Sequence, residues 1–445
     1  MKQKIFHSLF LGILLISSIS AAPHPQNIAP QQESQLAELT IDQAVDRALK
    51  HRPDLEASSF ATQASKEGAN SEIAGYYPTI SLDSTLWQET QQNDPANTTL
   101  LKANQLIYSF AGPLQRYKRA KKYTEISALE EQSLSNNIRL EVERTFLQSW
   151  LLQEQSKTIA ALEESSRSTF DKAGHQNDLN LLDKSVWLKN VEEYGVSVSD
   201  IGQYRDSLYS AYKRLEFFMG QPLVLANQHP IKGAATKLIW KPFKRVHLKS
   251  LQSYYDDALS NRPEIKEALR KIDIERWNVR LAQGDRLPTF SAQAESGFQT
   301  LVYPDQAQHT TRGYYWFGVN ASWLVFDGVV KQYQERQAYA NKIKETLLKE
   351  QVTFNIKEEV QEKYFALSKS LIRLQAQKLN YIRAHNDFKL RKQELEIGQL
   401  AQTDFDTVKT AWEQAKLLWY SAAITVETAK YELMYACGYP TELRL

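Results

Sequence analysis

The sequence of 445 residues has one cysteine, Cys437, which leaves no intrachain disulfide and no multi-cysteine metal site. Glycine (16) and proline (14) are scarce, together about one residue in fifteen, against roughly one in eight in an ordinary chain. That shortage excludes a loop-rich, disordered or collagen-like chain. It also argues against a large Rossmann or TIM-barrel enzyme, whose strand-to-helix turns need glycine. An excess of one charge is missing too: 54 basic residues face 52 acidic ones, so no global field points to nucleic acid. Past the extreme N-terminus no apolar run reaches the ~18 residues of a membrane-spanning helix. The eight histidines are scattered without HExxH or paired metal spacing, and no GxSxG, Walker or GxGxxG run occurs. The sequence therefore predicts no enzyme, no metal and no cofactor. What it does contain is Gln, Ala, Leu, Glu and Lys in helical proportions, with 11% aromatics in a polar chain.

The N-terminus reads as an export signal. Lys2 and Lys4 precede the apolar stretch Ile5 to Ile19, then Ser20, Ala21, Ala22 and Pro23. A basic start, a short hydrophobic core and small residues at the cut define a secretory signal over 1–22, and the core is too short for a comfortable membrane anchor. No cysteine follows it to carry a lipid. Residues 23–38 read as a flexible polar tail. Export with one cysteine suits a bacterial envelope better than a disulfide-stapled secreted domain.

The chain is written twice. ALKHRPD (48–54) echoes ALSNRPE (258–264), and YPTI (77–80) echoes LPTF (287–290), both at an offset of 210. LIYSF (106–110) resembles LVFDG (324–328), and MGQP (219–222) matches CGYP (437–440) at an offset of 218. Four ordered matches indicate duplication of a unit far longer than a solenoid repeat. The first repeat spans 39–220 and the second 251–445; the joining 221–250, with three prolines and Gly233, is an irregular connector.

Both repeats follow one plan. Thr40 is an N-cap for a short helix, 41–51, and Pro53 or Asp54 starts a second one ending before Tyr76-Tyr77-Pro78. A hairpin (79–110), a long helix (111–172), a tip near Gly174 and a return helix (178–218) follow. The second repeat predicts a helix at 264–285, a hairpin at 289–326, a long helix at 329–396, a tip at Gly398 and a return helix at 402–437. Val360, Tyr364, Leu367, Leu371, Leu374, Tyr381 and Phe388 keep 3–4 spacing, a coiled-coil seam. A helix this long has no globular core to lie on, which favours helix-on-helix packing.

The strands are the most specific signal. Phe290, Ala292, Ala294 and Phe298 alternate with Ser291, Gln293, Glu295 and Gln299. Over 314–326 Tyr315, Phe317, Val319, Ala321, Trp323 and Val325 alternate with Trp316, Gly318, Asn320 and Ser322. The first repeat does the same more weakly, through Ile80, Leu82, Leu86, Leu101, Ala103 and Ile107. Period-two alternation over about ten residues fits a tilted transmembrane strand. Aromatics gather at one end of each hairpin: Tyr76, Tyr77, Tyr108 and Phe110, then Phe290, Trp323 and Phe326. That is an interfacial girdle. Four strands cannot close a barrel, and open edges in lipid leave backbone groups unsatisfied. The chain must pool strands with copies of itself.

These motifs together (LTIDQAVDRALKHRPDLEAS, YYPTISLD, QLIYSFAG with LVFDG, and MGQP with CGYP) resemble the TolC family of outer-membrane efflux proteins over about 39–440. The resemblance implies a mostly α fold with a small β part. Four strands per chain would build a twelve-stranded outer-membrane barrel in a homotrimer, above a long α-helical barrel crossing the periplasm. It implies a passive exit duct of a drug-efflux or type I secretion machine, with a periplasmic adaptor and an inner-membrane pump as partners. It also places a ring of aspartates at the periplasmic entrance. In GQLAQTDFDT, Gly398 and Asp404 fall on the family positions, Thr407 stands where a second aspartate is expected, and Asp406 is an extra neighbour. In GHQNDLNLLD, Asn180 stands where an aspartate is frequent, with Asp183 beside it. The family's latching Tyr and Arg align with Leu395 and Leu400, so a latch of that type is not expected. Carboxylate rings favour cations at a constriction, while Asp404 has a second reading as a helix-start residue. The basic run RYKRAKK (116–122) begins the long helix just below the barrel, where lipid headgroups or plain solvation account for it better than nucleic acid. The alternative class is an exported coiled-coil adhesin or envelope scaffold, which needs no alternating strands.

Overall fold

The computed structural model describes residues 37–87, 96–179, 181, 183–223, 236–240, 248–302 and 309–438. The expected signal, all but the last two residues of the tail, most of the connector and Asn180 lie outside these residues.

Strand β1 (Ala37–Thr40) leads into α1 (Ile41–His51) through a reciprocal cap: Thr40 N–H donates to Gln43 Oε1 at 3.1 Å, and Gln43 N–H to the Thr40 hydroxyl at 3.4 Å. The tail expected over 23–38 is therefore structured at its last two residues, because β1 pairs in parallel with β4 (Thr236–Ile239) of the connector. The chain breaks at Arg52, held extended by the following proline, and Pro53 opens α2 (Pro53–Ala74). After β2 (Thr79–Trp87) and β3 (Ala96–Ser109), α3 runs from Pro113 to Asp178 and α4 from Lys184 to Met219. The second repeat gives α5 (Leu251–Asn261), a break at Arg262, α6 (Pro263–Gly284), β5 (Thr289–Val302), β6 (His309–Ser322), α7 (Val330–Glu396) and α8 (Gln402–Ala436).

Two boundaries differ from the sequence reading. Gly174 is not at a turn: α3 continues to Asp178, and α4 begins at Lys184. A lone glycine costs a helix only about 1 kcal/mol, and the backbone closes five residues later, where Leu181 N–H donates to Gln176 O at 2.9 Å. Strand β6 stops at Ser322, so Trp323 to Phe326 lie beyond the strand expected to reach 326.

Helices α3 and α7, of 66 and 67 residues, are each about 100 Å long. Both α2 and α4 pack on α3, both α6 and α8 pack on α7, and α3 also meets α6 and α8. One buried cluster gathers Phe146, Leu147, Trp150, Leu208, Tyr212 and Leu238 where β1 and β4 cross the helices. A second gathers Tyr254, Ile356, Val360, Leu367, Leu433 and Cys437. Burial pushes the Cys437 thiol up to about 12, so it packs as a small hydrophobe.

The repeated motifs meet in space. Gly220, at φ +67°, ends α4 so close to the α1–α2 break that a Cβ there would sit 2.8 Å from His51 O. Gly438, at φ +72°, brings a Cβ position to 2.7 Å from Arg262 N at the α5–α6 break. MGQP thus packs on HRPD, and Gly438 of its counterpart on the Asn261–Arg262 break. Only glycine tolerates both the left-handed backbone and the contact.

Candidate functional site

The four long strands form one antiparallel sheet in the order β2-β3-β5-β6. Its register sorts side chains onto two faces, since directly paired residues share a face. One face carries the rows Ile80–Ala103–Ala294–Phe317 and Leu82–Leu101–Ser296–Tyr315. Ile80, Leu82, Tyr315, Phe317 and Val319 are each about 70–80% exposed. The other face carries Ser81–Lys102–Glu295–Trp316 and Thr79–Asn104–Gln293–Gly318. There Lys102 reaches Asp83 at 3.0 Å and Glu295 at 3.8 Å, and Trp316 Nε1 donates to Glu295 at 2.6 Å. A bulge between Leu106 and Tyr108 restores the pleat, so that Tyr108 pairs with Phe290. An apolar, exposed face backed by a charged one is the arrangement of a sheet between lipid and water.

The expected girdle residues assemble at the helix end of this sheet. Tyr108 and Phe110 meet edge-on at 4.8 Å, Phe290 sits opposite Tyr108, and Trp323 Nε1 donates to Arg286 O at 3.0 Å. Tyr76 accepts from Gln105 through its carbonyl at the α2–β2 turn, beside the exposed Tyr77. Phe326 is 78% exposed beyond β6.

At the other end of the helices lie the two turns. Gly398, at φ +74°, closes α7: its N–H donates to Leu395 O at 3.0 Å, and Gln399 N–H to Glu394 O at 2.9 Å. Asp404, Asp406 and Thr407 lie exposed on the first two turns of α8. The N-cap of α8 is Ala401, so Asp404 is in the first turn without supplying the cap. At the first-repeat turn Asp183 caps α4, accepting from Ser185 N–H at 2.7 Å and the Ser185 hydroxyl at 2.5 Å. Those hydrogen bonds hold its carboxyl below the usual range. Leu395 and Leu400 are half-buried at the second turn.

One feature escaped the sequence reading. From the α7–α8 turn toward the helix middle runs a chain of rings: Phe405–Phe388 (5.5 Å), Phe388–Trp412 (4.5 Å), Trp412–His385 (5.7 Å), His385–Tyr381 (5.8 Å) and Tyr381–Trp419 (5.2 Å). Trp419 then meets Tyr420, which reaches Trp150 in the first core cluster. Phe405, Trp412 and Trp419 recur every seven residues and were readable as the partner stripe of Tyr381 and Phe388.

The comparisons with known proteins agree with this architecture. The sequence model of the family described as outer membrane efflux protein matches residues 254–438. No curated protein sequence matches the chain. Solved structures with a similar fold include the CmeC outer membrane channel of Campylobacter jejuni (TM-score 0.69, 12% identity, 89% of this chain and 85% of that one). The outer membrane protein VceC of Vibrio cholerae superposes at TM-score 0.66 with 13% identity, covering 90% and 97% of the two chains. The MtrE outer membrane channel of Neisseria gonorrhoeae gives 0.68 at 12% identity, covering 94% and 95%. By sequence the second repeat thus matches the outer membrane efflux protein family, and nearly the whole chain has the fold of these outer-membrane channels.

Proposed function

We propose that three copies of this chain form a passive exit duct through the outer membrane, with the α3–α4 and α7–α8 hairpins extending into the periplasm. The carrying observation is the four-stranded sheet, which exposes an apolar face and leaves β2 and β6 unpaired at its edges among the described residues. Unpaired edges are not tolerated in lipid, and pairing β6 of one copy with β2 of the next removes them. Twelve strands suffice for a barrel, whereas four do not. Large apolar side chains exposed along α7, among them Phe354, Ile372 and Leu379, support the same neighbours lower down.

On this reading the two helix turns face the periplasmic entrance, which Asp404, Asp406, Thr407 and Asp183 line. Three-fold repetition of Asp404 and Asp406 makes a cation-favouring constriction. Leucines at 395 and 400 leave it without a Tyr–Arg latch. Energy comes from an inner-membrane pump reached through a periplasmic adaptor, in a drug-efflux or type I secretion assembly. The test is conductance of the detergent-purified protein in planar bilayers. A trimeric, cation-selective channel whose selectivity drops in D404N/D406N is expected; a monomer that stays in solution without detergent would overturn the duct.

A further inference from the structure

The basic run at the start of α3 does not disperse into solvent. PLQRYKRAKK (113–122) holds five cations and no carboxylate. Lys118 Nζ lies 5.4 Å and the Arg280 guanidinium 4.5 Å from the centroid of the same Trp277 ring. The Arg119 guanidinium is fixed on Asn278 Oδ1 at 3.2 Å, while its Nε is buried without a partner.

Depth orders these charges. Helix α6 ends at Gly284 against the backbone of Phe110 and Ala111, at the foot of the sheet. Arg280 stands four residues before that end and Lys118 five after Pro113, so both lie roughly 6–8 Å below the sheet. Arg116, Lys118 and Arg280 near this level, and Lys121 about one turn lower, are exposed and make no ion pair among the described residues. Neighbouring cations lower down are paired: Lys122 and Arg270 share Glu125 at 2.8 and 2.6 Å, and Arg276 binds Asp273 at 2.9 Å. Toward α7, Arg286 is likewise paired, with Glu335 at 2.8 Å. The α3–α6 surface just under the aromatic girdle thus gathers exposed cations with no carboxylate partner among the described residues. Two cations gathered on one indole repel each other unless an anion lies between them.

We propose that Lys118, Trp277 and Arg280, with Arg116 and Lys121 beside them, dock the phosphate of an anionic phospholipid of the periplasmic leaflet. The indole sits at the headgroup boundary, as interfacial tryptophans do, and the two cations clamp the phosphate from either side. The site rests on the duct reading, which sets this level of the helices at the membrane surface.

The test reconstitutes the full chain in phosphatidylethanolamine vesicles with or without phosphatidylglycerol, re-extracts it in detergent and counts retained lipid by native mass spectrometry. Wild type is expected to retain phosphatidylglycerol over phosphatidylethanolamine. One cation beside an anionic surface is worth about five-fold in partition, so K118Q/R280Q is expected to lose retention by roughly thirty-fold. K122Q, whose lysine is paired with Glu125, is expected to retain the lipid within about two-fold. A trimer of K118Q/R280Q that keeps phosphatidylglycerol as wild type does overturns the site and leaves the duct standing. Displacement of the lipid by millimolar inorganic phosphate also overturns it, in favour of a free-anion site. A chain that never forms a detergent-dependent oligomer overturns both readings.

Discussion

The two repeats keep one backbone device and dress it differently. In each, a glycine in the left-handed conformation presses on an Arg-Pro break between two helices, at His51–Arg52 and at Asn261–Arg262. Around the first, Arg52, its side chain 15% exposed, binds Asp54, 41% exposed, and lies over Phe217 and Phe218. Around the second, Arg262 is 6% exposed, binds Glu264 at 2.9 Å and Glu359 at 2.8 Å, and donates to Ala436 O at 3.1 Å. After duplication the steric requirement holds sequence tightly, whereas the polar contacts around it are free to diverge. The second node has become a buried network tying α6, α7 and α8 together; the first remains a local pair.

The sharpest way to break that comparison is to remove each arginine. Arg262→Met strands two glutamates and a backbone carbonyl, a loss on the order of 3–4 kcal/mol. Arg52→Met removes a pair with a partly exposed partner and should cost about 1 kcal/mol or less. Thermal unfolding of the two variants under one detergent condition checks the ratio. Equal losses would mean that burial of Arg262 does not distinguish the repeats. The first node carries its own pH signature: the Arg52 guanidinium holds the Asp54 carboxyl below its ordinary value. Its contribution is present above the unfolded aspartate value near 3.8 and fades as pH falls through the lower folded one.

A second contrast lies thirty residues into each long helix. Helix α7 buries Val360 there, and α3 buries Glu143, which is 4% exposed. Burial pushes the Glu143 carboxyl up to about 8, against Arg139 and Lys430, which pull it down, and Asp42 and Glu427, which add to the rise. The folded chain therefore holds a proton that the unfolded chain releases near pH 4.5. Stability falls as pH rises between those two values and is flat outside them. Glu143→Gln keeps the neutral shape and removes the slope. It should gain on the order of 4 kcal/mol over wild type near pH 8 and nothing near pH 4. A pH series of unfolding midpoints decides; parallel curves would put Glu143 ionised in the fold.

The third contrast is the stacking along the hairpins. In α7–α8 the rings run from Phe405 through Trp412 to Trp419, whereas in α3–α4, among the described residues, Phe170 meets only Trp187 (5.5 Å) and Tyr194 (4.5 Å). Trp412→Ala interrupts a continuous seam and should cost about 2 kcal/mol; Trp187→Ala removes one ring contact and should cost about 1 kcal/mol. Amide hydrogen exchange at 381–392 and 405–419 should rise in the first variant and not in the second. An equal rise in both would mean that the seam confers no extra rigidity.

Much of this was legible in the sequence because it rests on periodicity and on backbone geometry. Alternation at 289–300 fixed which face of the sheet is apolar, and the order of Pro53, Pro263, Gly220 and Gly438 marked the helix breaks and ends. The first tip was misplaced because a glycine is only a permissive signal: Gly174 sits inside α3, and the turn depends on the cap at Asp183. The seam was half-seen, since the stripe on α7 was counted without its partner on α8. Long-range pairings stayed invisible: no local pattern tells that Glu143 is buried, or that Lys118 and Arg280 share Trp277.

The smallest effect concerns the two turns and settles what Asp404 does. Helix α4 has a side-chain cap in Asp183, and α8 has only Ala401. Asp183→Ala should speed amide exchange over the first turn of α4. Ala401→Ser should slow it over the first turn of α8, with a gain of about 0.5–1 kcal/mol in helix-end stability. Asp404 in that first turn favours the helix start through the aligned peptide dipoles alone. If this is its whole role, Ala401→Ser restores both exchange protection and cation selectivity to Asp404→Asn. If its charge faces the permeating ion, protection returns while selectivity stays lost, because a serine cap replaces the dipole partner and not the field in the pore. The second outcome is expected, since Asp404 is exposed and the cap position belongs to Ala401.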